Sequence, residues 1–132
     1  MNKRLPDLEV YILCPDIAVI QEWLARQFPS LVLLKEKKGK PASYNYQAEY
    51  KHHTLPIVLV EKAIGKFASL WIDSSYSPWD DDEMLARDIV TKLQLEVRFA
   101  KNSWTEDEQD TETNDNWIKL TTKERQEIQW RT

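Results

Sequence analysis

The pattern of hydrophobic and polar positions is clearest between residues 66 and 99, where it predicts a strand, a helix and a second strand. Phe67–Ile72 is a continuous apolar, β-prone run, and the polar residues after it are typical of a turn. Pro78 suits the first position of a helix and Ser77 suits its N-cap, so we expect a helix over Pro78–Leu93. The alternation over Leu95–Phe99 predicts a half-buried strand. The apolar positions that define the buried helix face are Leu85, Ile89 and Leu93.

The first third of the chain predicts another unit of the same kind. Leu8–Cys14 is apolar on both faces in its second half, which indicates a strand inside a sheet. Pro15–Phe28 carries apolar residues at helical spacing, and Leu31–Leu34 is the next apolar run. A strand, a helix and a strand in this order predict a right-handed crossover between parallel strands.

A stripe of tyrosines is the most regular pattern in the middle of the chain. Over Ser43–Lys51, tyrosine or alanine alternates with polar residues without interruption, which predicts a strand with one solvent-exposed face. An exposed stripe would be a good contact surface for a protein, because each ring offers area and a hydroxyl group. We favour the alternative, in which the stripe lies under a helix, because aromatic side chains are mostly buried. The stripe consists of Tyr44, Tyr46 and Tyr50.

The amino-acid composition of the chain changes after residue 99. Residues 105–116 contain many acidic and no apolar side chains, which predicts a long loop. Trp117–Leu120 and Glu127–Trp130 predict a terminal hairpin, and Pro56–Val60 is a further strand. The whole pattern predicts one α+β domain over residues 1–132, with a single mixed, mostly antiparallel sheet of about six to eight strands and two helices on one face. The specific architecture we expect is a ferredoxin-like split βαβ core with an added C-terminal hairpin.

Charge is distributed unevenly along the chain. The net charge is −4, with +3 over residues 1–66 and −7 over residues 67–132. An acidic chain of this kind is a poor nucleic-acid binder, because phosphate neutralisation needs clustered Lys and Arg, but it suits a basic protein partner. No apolar run approaches a membrane span, no signal-type segment follows Met1, and Cys14 has no second cysteine to pair with. We therefore expect a cytoplasmic protein that binds neither nucleic acid nor membrane.

The sequence lacks the common catalytic and metal-binding motifs. Gly39 and Gly65 are the only glycines, so neither of the common Gly-rich phosphate loops is possible. The chain contains no G-x-S-x-G nucleophile elbow, no H-x-x-x-H and no C-x-x-C. We therefore expect no catalytic residue, no metal site and no cofactor.

Two combinations of residues keep a small enzyme or a ligand-binding domain open as the alternative function. Cys14 lies at the end of a predicted strand and before a helix, where it could act as a nucleophile with His52 or His53 as its base. We favour a buried structural cysteine, which predicts slow reaction with thiol reagents. The carboxylates of Asp73 and Asp80 could hold Mg²⁺ or Ca²⁺. Acidic residues in a first helical turn also stabilise the positive end of the helix, which is the structural interpretation of this cluster.

The hypothesis we prefer is a non-catalytic protein-binding module that presents an acidic and aromatic surface to a basic protein partner. An inhibitor of the immunity or antitoxin type fits the size, the acidity and the missing catalytic motifs. Exposed acids steer a basic partner, and a neighbouring tryptophan anchors it. The predicted partner-binding residues are Trp79, Asp80, Asp81, Asp82, Trp104, Glu106, Asp107 and Glu108.

Overall fold

The computed structural model describes residues 7–101 and 116–130, which form eight strands and two helices. The α+β class and the single sheet predicted from the sequence are confirmed. The helices are α1 (Ile17–Gln27) and α2 (Asp82–Leu93). The strands are β1 (Leu8–Leu13), β2 (Val32–Lys37), β3 (Ser43–Tyr50), β4 (His53–Ile64), β5 (Phe67–Ile72), β6 (Val97–Ala100), β7 (Asn116–Leu120) and β8 (Arg125–Gln129).

The sheet has the order β2-β3-β4-β5-β1-β6-β7-β8, and every neighbouring pair is antiparallel. β1 lies between β5 and β6, so the two strands joined by α2 run in the same direction with one strand between them. The strands joined by α1 also run in the same direction, but β3, β4 and β5 lie between them. The expectation that β1, α1 and β2 form a simple parallel unit is therefore corrected, because β2 is an edge strand.

The two helices begin later than the sequence pattern predicts. Asp16 caps α1 by accepting a hydrogen bond from the Ala18 N–H. α2 begins at Asp82 and not at Pro78, and its N-cap is Asp81, whose carboxylate accepts from the Met84 N–H at 2.9 Å. Ser77 is not the N-cap, because its buried hydroxyl bonds the backbone of Trp79 instead. The segment before α2 is thus a hydrogen-bonded loop.

The core lies against one face of the sheet, where neighbouring strands place apolar side chains in register. Val10 lies opposite Leu70, and Leu70 lies opposite Leu59 on the next strand. All three are fully buried, and so are Ile20 and Leu24 of α1. Burying an aliphatic side chain of this size contributes about 1.5–3 kcal/mol, so this face supplies most of the driving force for folding. In the described part of the chain neither helix is long and apolar enough to cross a membrane.

The tyrosine stripe belongs to this core face, as the buried interpretation predicts. Tyr46 is 4% exposed, and Tyr44 and Tyr50 pack partly buried against the core. Gln21 of α1 donates a hydrogen bond from Nε2 to the Tyr46 hydroxyl at 2.5 Å. The hydroxyl is therefore satisfied under the helix, and Tyr46 offers no exposed ring to a partner.

Candidate protein-binding surface

The second face of the sheet carries a different set of side chains, and we call it the Tyr11 face. Because successive residues of a strand point to opposite faces, burial of Leu8, Val10 and Ile12 in the core sends Glu9 and Tyr11 to the other side. The register then adds neighbours on that side. Glu9 lies opposite Trp71, and Tyr11 lies opposite Ser69 on β5 and Arg98 on β6.

Four aromatic rings meet on the Tyr11 face, and we call them the aromatic cluster: Tyr11, Phe67, Trp117 and Trp130. The Trp117 and Trp130 rings lie edge to face with centroids 4.9 Å apart, and the Tyr11 ring lies within 6 Å of both, at 5.6 and 5.9 Å. Edge-to-face pairs at these distances are favourable beyond the area they bury. Tyr11, Trp117 and Trp130 remain half-buried, so each keeps part of its surface open to solvent.

The aromatic cluster requires a strongly curved sheet. The centroids of Phe67 and Trp130 are 4.7 Å apart, although Phe67 is on β5 and Trp130 directly follows β8. Four strand spacings separate β5 from β8, which is about 19 Å in a flat sheet. The C-terminal hairpin therefore curls toward the Tyr11 face and makes it concave.

Arg98 lies inside this concave face and stabilises the cluster. Its guanidinium carbon is 4.6 Å from the Phe67 centroid and 4.7 Å from the Trp130 centroid. The Nε of Arg98 also donates to Glu96 Oε2 at 2.9 Å, and both side chains are mostly buried. A guanidinium between two rings and a carboxylate gains cation–π and ion-pair energy together. The surface thus already holds one basic side chain of the chain itself.

Two carboxylates border the aromatic cluster at the start of β1, and we call them the acidic rim. Asp7 Oδ2 accepts a hydrogen bond from Trp71 Nε1 at 2.6 Å, and Glu9 Oε2 accepts one from the Tyr11 hydroxyl at 3.1 Å. Desolvation raises the pKa of Glu9 above its usual value, and the nearby Asp7 adds to this increase. Desolvation together with Glu9 raises the pKa of Tyr11 to about 12. Partial desolvation of the Glu9 carboxylate favours a cationic group beside it.

Two of the predicted acidic residues near α2, Asp81 and Asp82, make structural hydrogen bonds. Asp82 is 5% exposed, and its Oδ1 accepts from the Glu9 N–H at 3.0 Å, which ties the start of α2 to β1. Asp81 is exposed and caps the helix, and Asp80 is half-buried. Glu83 accepts from Arg87 and Arg125, and the Arg125 hydrogen bond is the main reason that its pKa is lowered.

Trp79 is not the exposed aromatic anchor that the sequence predicted, because it is a core residue. It is 6% exposed, stacks on Trp23 with centroids 5.7 Å apart and packs edge to face on Phe28. Its Nε1 donates to Asp88 Oδ2 at 3.2 Å. The other predicted anchor, Trp104, lies outside the described residues, and so do Glu106, Asp107 and Glu108.

The structure separates Cys14 from both histidines. Cys14 directly follows β1, where its N–H donates to the Lys66 carbonyl near the C-terminal end of β4. His53 begins β4 at the other end of that strand. A strand of this length spans roughly 30 Å or more, so Cys14 and His53 cannot form a nucleophile–base pair. Cys14 is also exposed and not buried, which corrects the expectation of a shielded thiol.

Asp73 and Asp80 do not come together with other ligands as a metal site. Asp73 is exposed, and its backbone N–H donates to the Pro56 carbonyl at 2.9 Å. Within residues 7–101 and 116–130, no group of three or more His, Cys, Asp or Glu side chains could hold a metal ion.

Trp117 and Trp130 were predicted only as end residues of two strands of the terminal hairpin, and no function was predicted for Tyr11, Trp71 or Arg98. The alternation around Glu9 and Tyr11, and around Glu96 and Arg98, was a usable signal for the second face. Comparison with known proteins gives no indication of function, since the chain matches no model of a protein family, no curated protein and no solved structure.

Proposed function

We propose that this chain is a non-catalytic protein-binding module whose Tyr11 face receives a basic segment of a partner protein. The observation that carries the proposal is the position of the acidic rim, Asp7 and Glu9, directly beside half-buried aromatic rings. Trp and Tyr dominate the binding energy of protein interfaces, and carboxylates beside them select a basic partner. The acidic rim and the aromatic cluster together replace Trp79 as the aromatic and acidic surface predicted from the sequence.

The electrostatics of the acidic rim favour a cationic partner group. The Glu9 carboxylate is partly desolvated and lies near the Asp7 carboxylate. Both effects make its negative charge less favourable in the free protein. A Lys or Arg side chain of the partner would neutralise this charge and stack on a half-buried ring of the aromatic cluster. Arg98 of the chain itself lies in such an environment between Phe67 and Trp130, which supports the proposal of a guanidinium on this face.

An inhibitor of the immunity or antitoxin type is the specific form of this function that we propose. Such an inhibitor neutralises a toxin by covering a functional surface, and toxins that act on nucleic acid carry basic surfaces. The net charge of −4 and the acidic C-terminal half support this choice. Asp80, Asp81 and the acidic residues Glu106, Asp107 and Glu108 would then act on the rate of association through long-range attraction.

We also propose a ferredoxin-like core for the four central strands. The order β4-β5-β1-β6 supports this assignment, because β5 and β6 are joined by α2 and have β1 between them. In this interpretation the hairpin β2–β3 is inserted between α1 and β4 and extends the sheet beyond β4 to its edge. We propose that both helices lie on one face of the sheet. This placement is supported by one core cluster that includes Ile20 of α1, Ile89 of α2 and Val10 of β1.

A small-ligand site is the second candidate function, and one cavity favours it. A cavity of about 330 Å³ lies between the β3–β4 turn and the segment before α2, and its lining includes Lys51, His53 and Tyr76. The rings of His53 and Tyr76 stack with centroids 3.7 Å apart and an interplanar angle of 4°. Lys51 and His52 both have positive φ, at 50° and 72°, as the two central residues of a tight hairpin turn between the paired residues Tyr50 and His53. A small anionic ligand would suit this lining.

The two candidates are separated by affinity purification with matched variants. The full chain is immobilised, and captured proteins are identified by mass spectrometry. The first variant pair is Glu9→Lys on the Tyr11 face and Glu22→Lys at an exposed position of α1, which change the charge equally. The second pair is Trp117→Ala on the Tyr11 face and Tyr76→Ala beside the cavity.

The proposal predicts a basic protein that is captured by the wild type and by both control variants, Glu22→Lys and Tyr76→Ala, and lost with Glu9→Lys and with Trp117→Ala. Circular dichroism and thermal melting establish that each variant is folded before it is used. Capture that survives Glu9→Lys and Trp117→Ala would reject the Tyr11 face. The cavity is tested separately with inorganic phosphate, which should raise the melting temperature of the wild type and not that of Tyr76→Ala if the cavity binds a small anion.

A further inference from the structure

The outer edge of β2 differs from every other exposed part of the described chain in its apolar content. β2 is an edge strand that pairs only with β3. Val32, Leu33 and Leu34 are consecutive and are 53%, 45% and 59% exposed. A sheet edge carries unpaired backbone N–H and C=O groups, so an exposed apolar edge strand is a template for pairing with another strand.

β8, the other edge of the same sheet, is protected against pairing with another strand. β8 (Arg125–Gln129) contains a single aliphatic residue, Ile128, among charged and amide side chains. Arg125 is paired with Glu83, and Glu127 is paired with Lys101. Charged side chains of this kind are the usual protection of a sheet edge, and β2 lacks them over its first half.

The second half of β2 and the turn after it are strongly basic. Lys35, Lys37, Lys38 and Lys40 lie within six residues, with Glu36 as the one acidic side chain among them. In the register with β3, Lys35 lies opposite Asn45, Lys37 opposite Ser43 and Val32 opposite Gln47. Since the intervening Tyr44 and Tyr46 point toward the core, Val32, Lys35 and Lys37 all lie on the Tyr11 face.

The geometry points to β2 as a docking edge for an extended segment of a partner protein that pairs as a ninth strand and carries alternating acidic and aliphatic side chains. Main-chain hydrogen bonds to the β2 edge provide affinity in this mode of recognition, and side-chain pairs provide specificity. Opposite charges directly across neighbouring strands are favourable, so acids at alternate positions of the segment match Lys35 and Lys37. Aliphatic side chains at the intervening positions lie on the other face of the sheet, where they match Leu33. This surface is separate from the aromatic cluster and the acidic rim and does not depend on the function proposed for them.

The test uses a fluorescein-labelled ten-residue probe peptide of alternating glutamate and valine, with blocked ends, titrated with the full chain and followed by fluorescence polarisation. One control probe replaces each glutamate with lysine. A second control probe is N-methylated at its four central residues, which removes the backbone donors on both of its edges and keeps the side chains. The proposal predicts saturable binding of the first probe below about 1 mM, with neither control probe binding measurably.

Two chain variants locate the site. Lys35→Glu with Lys37→Glu reverses the charge of β2, and Lys66→Glu with Lys123→Glu makes the same change of net charge at two exposed turn positions. The β2 variant should weaken binding at least about fivefold, because two favourable cross-strand pairs become repulsive, and the control should change it less than about twofold. Equal weakening by both variants would show a general charge effect and overturn the proposal.

The backbone signals of β2 and the state of association complete the test. In a ¹⁵N–¹H spectrum, the amide signals of residues 32–37 should shift on addition of the first probe and become slower to exchange with solvent. Absence of binding, or shifts confined to other residues, overturns the proposal. Sedimentation equilibrium gives the remaining outcome: a dimer that Leu34→Lys dissociates and Met84→Lys does not would mean that a second copy of the chain occupies the edge, and the partner proposal would fall.

Discussion

The buried carboxylate of Asp82, in the first turn of α2, accepts a hydrogen bond from the backbone N–H of Glu9 in β1 at 3.0 Å. The two residues are 73 positions apart in sequence, and their contact holds Glu9 of the acidic rim next to the start of α2. The same carboxylate lies near the positive end of the helix, which stabilises its charge. One side chain therefore links the helix, the central strand and the proposed binding surface.

Removing this carboxylate should destabilise the protein. We expect Asp82→Ala to lower the free energy of unfolding by about 1–3 kcal/mol, because it leaves the Glu9 N–H without its partner. Urea denaturation followed by circular dichroism measures the loss. Asp81→Ala, which removes the N-cap, should cost about 0.5–2 kcal/mol and serves as the comparison. A change below about 0.5 kcal/mol for Asp82→Ala, the size typical of an ordinary surface substitution, would show that the contact does not matter for folding.

The buried faces of the two helices give a second prediction. Leu24 of α1 and Ile89 of α2 are both 0% exposed. Truncation of either to Ala should cost about 2–5 kcal/mol, because the transfer free energy is lost and a cavity remains. Chemical denaturation of the two single variants tests this directly. Losses below about 0.5 kcal/mol at both positions would contradict the burial of these faces.

Cys14 gives a prediction that reverses the sequence-based one. The thiol is exposed in the structure, directly after the last residue of β1. We expect a thiol reagent to label Cys14 in the native protein at a rate close to that of the unfolded chain in urea. The measurement uses a disulfide reagent that releases a coloured thiolate when it reacts with Cys14, and the absorbance of this thiolate is followed at neutral pH. Labelling that becomes fast only after unfolding would show that the thiol is shielded.

The ionisation of Tyr11 makes stability depend on pH in the alkaline range. The pKa of Tyr11 is raised from 10.0 to about 12, chiefly by desolvation and then by Glu9. A phenol that holds its proton more tightly in the folded state adds stability that is fully present below pH 10 and is lost as the pH rises toward 12. We expect Tyr11→Phe to reduce this loss between pH 10 and 12 in urea denaturation. An unchanged pH profile in that variant would show that the phenol is not perturbed.

Local patterns were sufficient to predict most elements of the fold. β5 has the predicted bounds, Phe67–Ile72, because a continuous apolar run is flanked by turn residues on both sides. α2 begins four residues after the predicted start, because Ser77 bonds the Trp79 backbone and leaves the cap to Asp81. Both serine and aspartate are suitable caps, and only the tertiary position of Trp79 decides between them.

The arrangement of strands in the sheet was not available from local patterns. β2 follows α1 in the chain, yet it pairs with β3 at the sheet edge and not with a strand next to β1. The aromatic cluster has the same origin, because Tyr11, Phe67 and Trp130 meet only when the sheet curls. Strand alternation predicts which face a residue occupies, but it does not predict which distant residues share that face.

The most direct measurement of the proposed function uses the side-chain indole N–H signals of the tryptophans in a ¹⁵N–¹H spectrum, recorded with and without the captured basic partner. Trp→Phe variants assign each signal. The account predicts that the signals of Trp71, Trp117 and Trp130 shift on binding, while those of the core residues Trp23 and Trp79 stay in place. Unchanged signals for Trp71, Trp117 and Trp130, with a shift confined to Trp104 or Trp79, would contradict the Tyr11 face as the binding surface.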